Sequence, residues 1–145
     1  MKIVLVSRID DATALQYTAD LARDLAEQGY DIALEEGTAM HLGREGIPFE
    51  EIAGDLVVVV GGDGSVLLTV HQMKEQVPVL GINRGEVGFL ADLEPDEARA
   101  FFAAHPDGFR VEPRMRVSLS VNGKPFGDAL NEAVIVTDRP AKMLR

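Results

Sequence analysis

"LVVVVGGDGSVLL", Leu56–Leu68, is the stretch that decides the fold. Its strand portion, Asp55–Val60, is apolar at every position from Leu56 onward. A strand apolar on both faces belongs to a parallel sheet covered by helices on both sides. The run passes straight into Gly61-Gly62-Asp63-Gly64-Ser65, and a helix is expected from Ser65 to Gln76. Backbone N–H groups at such a helix start form an anion site, reinforced by the helix dipole. Glycines there allow left-handed backbone angles and close approach of a ligand. Yet the turn is neither a P-loop, which needs a Lys-Ser/Thr pair, nor the Gly-x-Gly-x-x-Gly fingerprint. The difference is Asp63, since a phosphate resting on a carboxylate would be repelled. A carboxylate suits a hydroxyl to be oriented or deprotonated, or a Mg²⁺ ion bridging to phosphates. The reaction class is then phosphoryl transfer onto a sugar or alcohol hydroxyl. On local physics an equal reading is a tight turn in which Asp63 caps the helix.

Working outward, Lys2–Ser7 reads as a buried β-branched strand. Asp10, Asp11 and Thr13 offer N-cap residues. Leu15, Thr18, Ala22, Leu25 and Ala26 form one helical stripe, closed by Gly29. Tyr30–Leu34 is a second strand, and Gly37–Gly54 a loop with room for a short helix. Val77–Ile82 is another buried strand. A helix begins at Glu94-Pro95-Asp96-Glu97, with proline near its first turn and acids at its positive end. This alternation predicts a doubly wound, mostly parallel α/β sheet of Rossmann-like type.

The pattern changes near Phe109. Met115, Val117, Leu119 and Val121 are apolar, while Arg114, Arg116, Ser118 and Ser120 are polar. That is the period of half-buried antiparallel strands. Asn122-Gly123 is a hairpin turn signal, and Ala129–Val136 reads as a further strand. The expected organisation is an α/β domain over 1–108 and the beginning of a β-rich domain over 109–145.

Composition narrows the function. The 145 residues carry a net charge of −10 and 46% hydrophobic content. The acidity argues against nucleic acid or an anionic membrane as partner. With no cysteine, disulfides, thiol nucleophiles and thiolate metal sites are excluded. No apolar run is long enough for a signal peptide or a membrane span, so the expected location is cytoplasmic. His41, His71 and His105 lack metal-ligand spacing, and no protein-held metal is expected.

Two further segments carry polar chemistry. "GINRGEVGFL", Gly81–Leu90, leaves a buried strand and so lies beside the first turn at the sheet's carboxyl edge, where open α/β sheets bind ligands. Its three glycines in eight residues require a backbone reason. Phe89 and Leu90 read as core, and Arg84 as a phosphate contact or a solvated charge. In "GDALNEAVIV", the pair Asn131-Glu132 could bind ribose hydroxyls or an adenine edge; surface polarity at a strand end is the alternative.

"GGDGS", then "PVLGINRGEVGFL", then "ALNEAVIVTDRPAKML", in that order, resemble the NAD kinase family. A Gly-Gly-Asp-Gly turn alone is shared with diacylglycerol-type lipid kinases and 6-phosphofructokinases; the other two segments favour NAD kinase. The resemblance implies transfer of the terminal phosphate of ATP, or of polyphosphate, to the 2′-hydroxyl of the adenosine ribose of NAD, with Mg²⁺ or another divalent cation accompanying the donor. It implies that Asp63 is the proton acceptor and also binds NAD with Gly64, Asn131 and Glu132. Lys142 matches a basic position that reaches the ligand in some members. Gly61, Gly62 and Ser65 complete the phosphate loop. It implies a homo-oligomer. Many members have Arg where this chain has Leu68. Family chains are longer, with a later Thr-Gly-Ser-Thr-Ala-Tyr-like segment that helps bind NAD, so the 145 residues alone are expected to be incomplete for activity. The rival readings are a non-catalytic nucleotide-binding fragment and a lipid kinase.

Overall fold

A computed structural model describes residues 1–84, 88–91, 93–106 and 108–134. They fall into two compact units, Met1–Glu112 and a second beginning at Pro113.

In the first unit, strands β1 (Lys2–Ser7), β2 (Asp31–Leu34), β3 (Leu56–Gly61) and β4 (Val79–Asn83) form one parallel sheet in the order β2-β1-β3-β4. The helices are α1 (Ala12–Glu27), α2 (Glu36–His41), α3 (Asp63–Gln72) and α4 (Pro95–Ala104), with a 3-10 turn at Phe49–Glu51. This is the doubly wound α/β architecture. The chain moves from β1 outward to β2, then crosses back past β1 to β3 and on to β4. The switch point therefore lies between β1 and β3, at whose carboxyl ends such sheets bind ligands. Right-handed crossovers put α1 and α3 on opposite faces.

Strand register explains the all-apolar pattern. Ile3 pairs with Leu56 and Leu5 with Val58. These side chains share a face with Val60 and Ile82, packing with Leu21 and Leu25 of α1 and Ala98 and Phe102 of α4. The alternate set, Val4, Val57 and Val59, faces the other layer and is equally buried. The α1–α4 layer is tied by Tyr17 Oη donating to the Pro95 carbonyl at 2.8 Å and by Arg99 on Asp24 at 2.7 Å. Phe109 stacks on Phe101, with 5.1 Å between ring centroids.

Helix α1 begins at Asp11, whose carboxylate accepts from the N–H groups of Thr13 (2.8 Å) and Ala14 (3.2 Å). Gly29, at φ +90°, follows its end in the left-handed region that glycine takes freely. The buried stripe is shifted from the expected one. Ala14 and Leu21 are core residues, Leu15 is half-buried and Ala26 is exposed. Apolar type places a residue on a helix, but the angle at which the helix meets the sheet selects the buried side.

The second unit contains an antiparallel hairpin of β5 (Val117–Val121) and β6 (Lys124–Ala129). Asn122 (φ 51°) and Gly123 (φ 76°) both take positive φ, the requirement of a type I′ turn. The returning strand is thus Lys124–Ala129 and not the expected Ala129–Val136. Residues 130–134 are not strand, and Ile135 and Val136 lie outside the described residues. Two-residue turn geometry fixes where β6 starts, directly after Gly123. Val117, Val121 and Phe126 are exposed.

Candidate functional site

The Gly61–Ser65 turn sits at the carboxyl end of β3, as its strand and helix dictate. Gly62, in extended backbone, occupies the cap position of α3 without a side-chain cap, and Asp63 is the first helical residue. The helix therefore starts two residues earlier than the expected Ser65 and ends at Gln72, not Gln76. The capping reading of Asp63 fails as well, because its carboxylate turns away from its own helix. Oδ2 accepts from the N–H of Phe89 at 2.9 Å, and Oδ1 from the N–H of Leu90 at 2.9 Å and, at longer range, of Ala91 at 3.4 Å. These backbone donors hold the carboxyl below its usual range. Hydrogen bonds to the charged form favour it.

The returning chain explains this placement. Leu93 bridges to Ile82 along the outer edge of β4. Asn83 N–H donates to the Leu93 carbonyl at 2.7 Å, and Leu93 N–H to the Gly81 carbonyl at 3.2 Å. Gly88–Ala91 is thereby laid beside the start of α3. Phe89, expected in the core, is 92% exposed, and Leu90 is half-buried. Their backbone, not their side chains, faces Asp63. The guanidinium of Arg84, read as a phosphate contact or a solvated charge, lies 5.5 Å over the Tyr17 ring.

The glycines divide by what surrounds them. None of Gly61, Gly62 and Gly64 has positive φ, so left-handed freedom is not their purpose. A Cβ on Gly61 would meet Ser65 Oγ, and its Cβ at 2.9 Å. A Cβ on Gly62 or Gly64 would meet nothing within 4 Å. Those two positions leave the backbone at the start of α3 uncovered by side chains, although Ser65 N–H already donates to the Gly62 carbonyl at 3.0 Å.

A cavity of about 400 Å³ opens at the switch point, lined by Gly62, Gly64, Ser65 and Leu68 on one side and by Ser7 and Arg8 at the end of β1 on another. Arg8 is the cation among its described lining residues. It makes a bidentate pair with Asp10, Nε–Oδ1 2.7 Å and Nη2–Oδ2 3.0 Å. The pair holds Asp10 below and Arg8 above their ordinary pKa ranges, through the hydrogen bonds between them. Behind it, buried Glu35 accepts from Gly37 N–H (2.7 Å) and Thr38 N–H (2.9 Å), and Ser7 N–H donates to Thr38 Oγ1 (2.8 Å). This network locks the end of β1 to α2. Sequence reasoning missed Arg8 and Glu35, since neither stands in a recognisable motif. Gly88 was signalled by the density of glycines in its segment, but not its contact.

Asn131 and Glu132 belong to the second unit, where both are exposed beyond β6. Lys142 lies outside the described residues. No group of three His, Asp or Glu side chains able to hold a metal gathers among the described residues. With Asp10 paired to Arg8 and no group of three donors gathered beside Asp63, the described residues do not fit a protein-held divalent ion. Nor is any described helix long and apolar enough to cross a membrane.

A parallel sheet with a cavity at its switch point, beside a glycine-opened helix start, defines a doubly wound α/β domain whose candidate site lies at its carboxyl edge. The profile of the ATP-NAD kinase N-terminal domain matches residues 3–105, and the chain belongs to the NAD kinase family. Over all 145 residues it is 79% identical to an NAD kinase of Methanoculleus marisnigri and 52% identical to one of Methanoregula boonei, covering 54% of each. It thus spans about half the length of these relatives. Among solved structures, an NAD kinase from Archaeoglobus fulgidus in complex with ATP shares the fold with a TM-score of 0.60 at 22% identity, over 86% of this chain and 45% of that one. Yeast NADH kinase complexed with NADH matches at 0.61 and 19% identity, over 71% and 35%.

Proposed function

We propose that the protein carrying this chain phosphorylates the 2′-hydroxyl of the adenosine ribose of NAD, giving NADP, with ATP or polyphosphate as donor. The observation that carries the reading is the start of α3. Gly62 and Gly64 open onto space beside a cavity, and the next residue between them is a carboxylate. Family membership supplies the substrate class, and relatives that bind ATP and NADH support nucleotide ligands. The N–H groups at the start of α3 and Arg8 would meet phosphate oxygens, Arg8 in place of the cation absent at Leu68. Asp63 would accept the hydroxyl proton, and Asn131, Glu132 and Lys142 would bind the dinucleotide. The donor would enter with its divalent cation, Mg²⁺ or another, already on its phosphates. Phosphoryl transfer of this kind is mostly positioning and charge stabilisation. We also infer a cytoplasmic homo-oligomer, which sedimentation and cell fractionation check.

The test incubates the full-length protein with NAD or NADH, ATP or polyphosphate, and Mg²⁺, and follows the 2′-phosphorylated product. Its absence with every pairing overturns the reading.

A further inference from the structure

We infer that the loop Gly88–Ala91 positions the Asp63 carboxylate for its substrate, and that Gly88 is a positioning residue acting through Asp63. For its function this rests on the phosphoryl-transfer reading above; for its structure it rests on the hydrogen bonds and the packing at Gly88.

Successive backbone N–H groups that converge on one point form an anion nest. Here the nest of Phe89, Leu90 and Ala91 holds the protein's own carboxylate, reached across 26 to 28 residues of chain. The two 2.9 Å bonds go to different oxygens. Rotation of the carboxylate would break both at once. An ionised carboxylate has about four lone-pair sites, so acceptor capacity remains for a substrate hydroxyl, in directions the nest has set. A carboxylate in the first turn of a helix would otherwise sample several rotamers. Restricting it in advance lowers the ordering cost at binding.

Gly88 makes the nest possible by leaving room. A Cβ there would collide with Asp63 Oδ1 and lie 2.7 Å from Cγ and 3.1 Å from Oδ2. The atom in the way is the functional group itself, so the smallest substitution displaces the carboxylate and not a neighbouring support. The same donors that orient Asp63 keep it ionised, which weakens it as a base. A loose phosphoryl-transfer transition state asks little activation of the attacking oxygen. Asp63 thus acts chiefly by orienting the hydroxyl and takes its proton late.

The experiment uses the full-length protein, with Gly88→Ala, Asp63→Asn and the double variant. In the parent, the amide proton resonances of Phe89 and Leu90 should move together through one acidic transition, and Asp63→Asn should remove it. Gly88→Ala should lower kcat about 10²-fold, the scale of a misplacement of about 1 Å, with KM for NAD changed much less. Added to Asp63→Asn, it should cost almost nothing, because residues acting as a unit are not additive. Amides that do not titrate overturn the proposal even if Gly88→Ala fails to fold. An undiminished loss from Gly88→Ala in the Asp63→Asn background overturns it too, as it would place Gly88 in a separate role. Titrating amides in a protein that phosphorylates neither NAD nor NADH would bring down the functional reading, and the positioning role with it, while the hydrogen bonds stand.

Discussion

The two glycine segments of this domain look alike in sequence and differ in what their glycines face. In the first, Gly62 and Gly64 face open space at the start of α3. In the second, a Cβ on Gly81 would stand 2.6 Å from Ala91 Cα and 2.9 Å from the Leu90 carbonyl oxygen, and one on Gly88 would strike Asp63. The first segment stays open at Gly62 and Gly64, whereas the second lets the chain lie against itself. Glycine density therefore marks a need for close approach without saying what approaches.

The largest effect should come from the residue on which both segments meet. Asp63→Asn should lower turnover of the full-length protein by at least about 10²-fold, the scale of a misplaced reacting group, while circular dichroism stays unchanged. Near-normal turnover would reduce Asp63 to a link between the two segments. Gly81→Val should act on the fold. Overpacking against backbone costs about 1–3 kcal/mol, to be read from denaturant midpoints, and an unchanged midpoint would erase the distinction between the segments.

Gly64→Val should show the opposite signature. Thermal stability should hold or rise slightly, since glycine inside a helix costs about 0.5–1 kcal/mol against alanine, while nucleotide affinity falls on the order of tenfold, about 1.4 kcal/mol. A variant that binds as tightly as its parent would mean that the first segment meets no ligand. The smallest effect concerns acid. Asp63 has a depressed pKa in the folded state, through its three N–H donors. Its contribution is present above the unfolded carboxylate value and is lost as pH falls through the folded one. Hydrogen exchange should find the amides of residues 89–91 losing protection only below the ordinary carboxylate range, and before those of β1 and β3. Simultaneous loss would show that the loop is held by something other than Asp63.

Much of the fold was legible because its information is local. β1, β3 and the hairpin turn at Asn122-Gly123 announce themselves by apolar runs and turn chemistry. Where the reading slipped, a distant partner had decided. Phe89 looks like core by type, yet it is exposed because its backbone is held by Asp63. Ala26 fits the helical stripe, but the docking of α1 on the sheet buries Ala14 and Leu21 instead.

By itself the sequence determined the strand-turn-helix unit, the parallel alternation and the family resemblance, because periodicity, turn residues and motif order are properties of neighbouring positions. Only the tertiary structure decided the partner of Asp63, what surrounds Gly62, Gly64, Gly81 and Gly88, and the meeting of Arg8 with the start of α3 around one cavity. Those depend on contacts between segments tens of residues apart, where strand order and the return of the chain along β4 set the distances. No local pattern encodes which N–H groups will arrive at a given carboxylate.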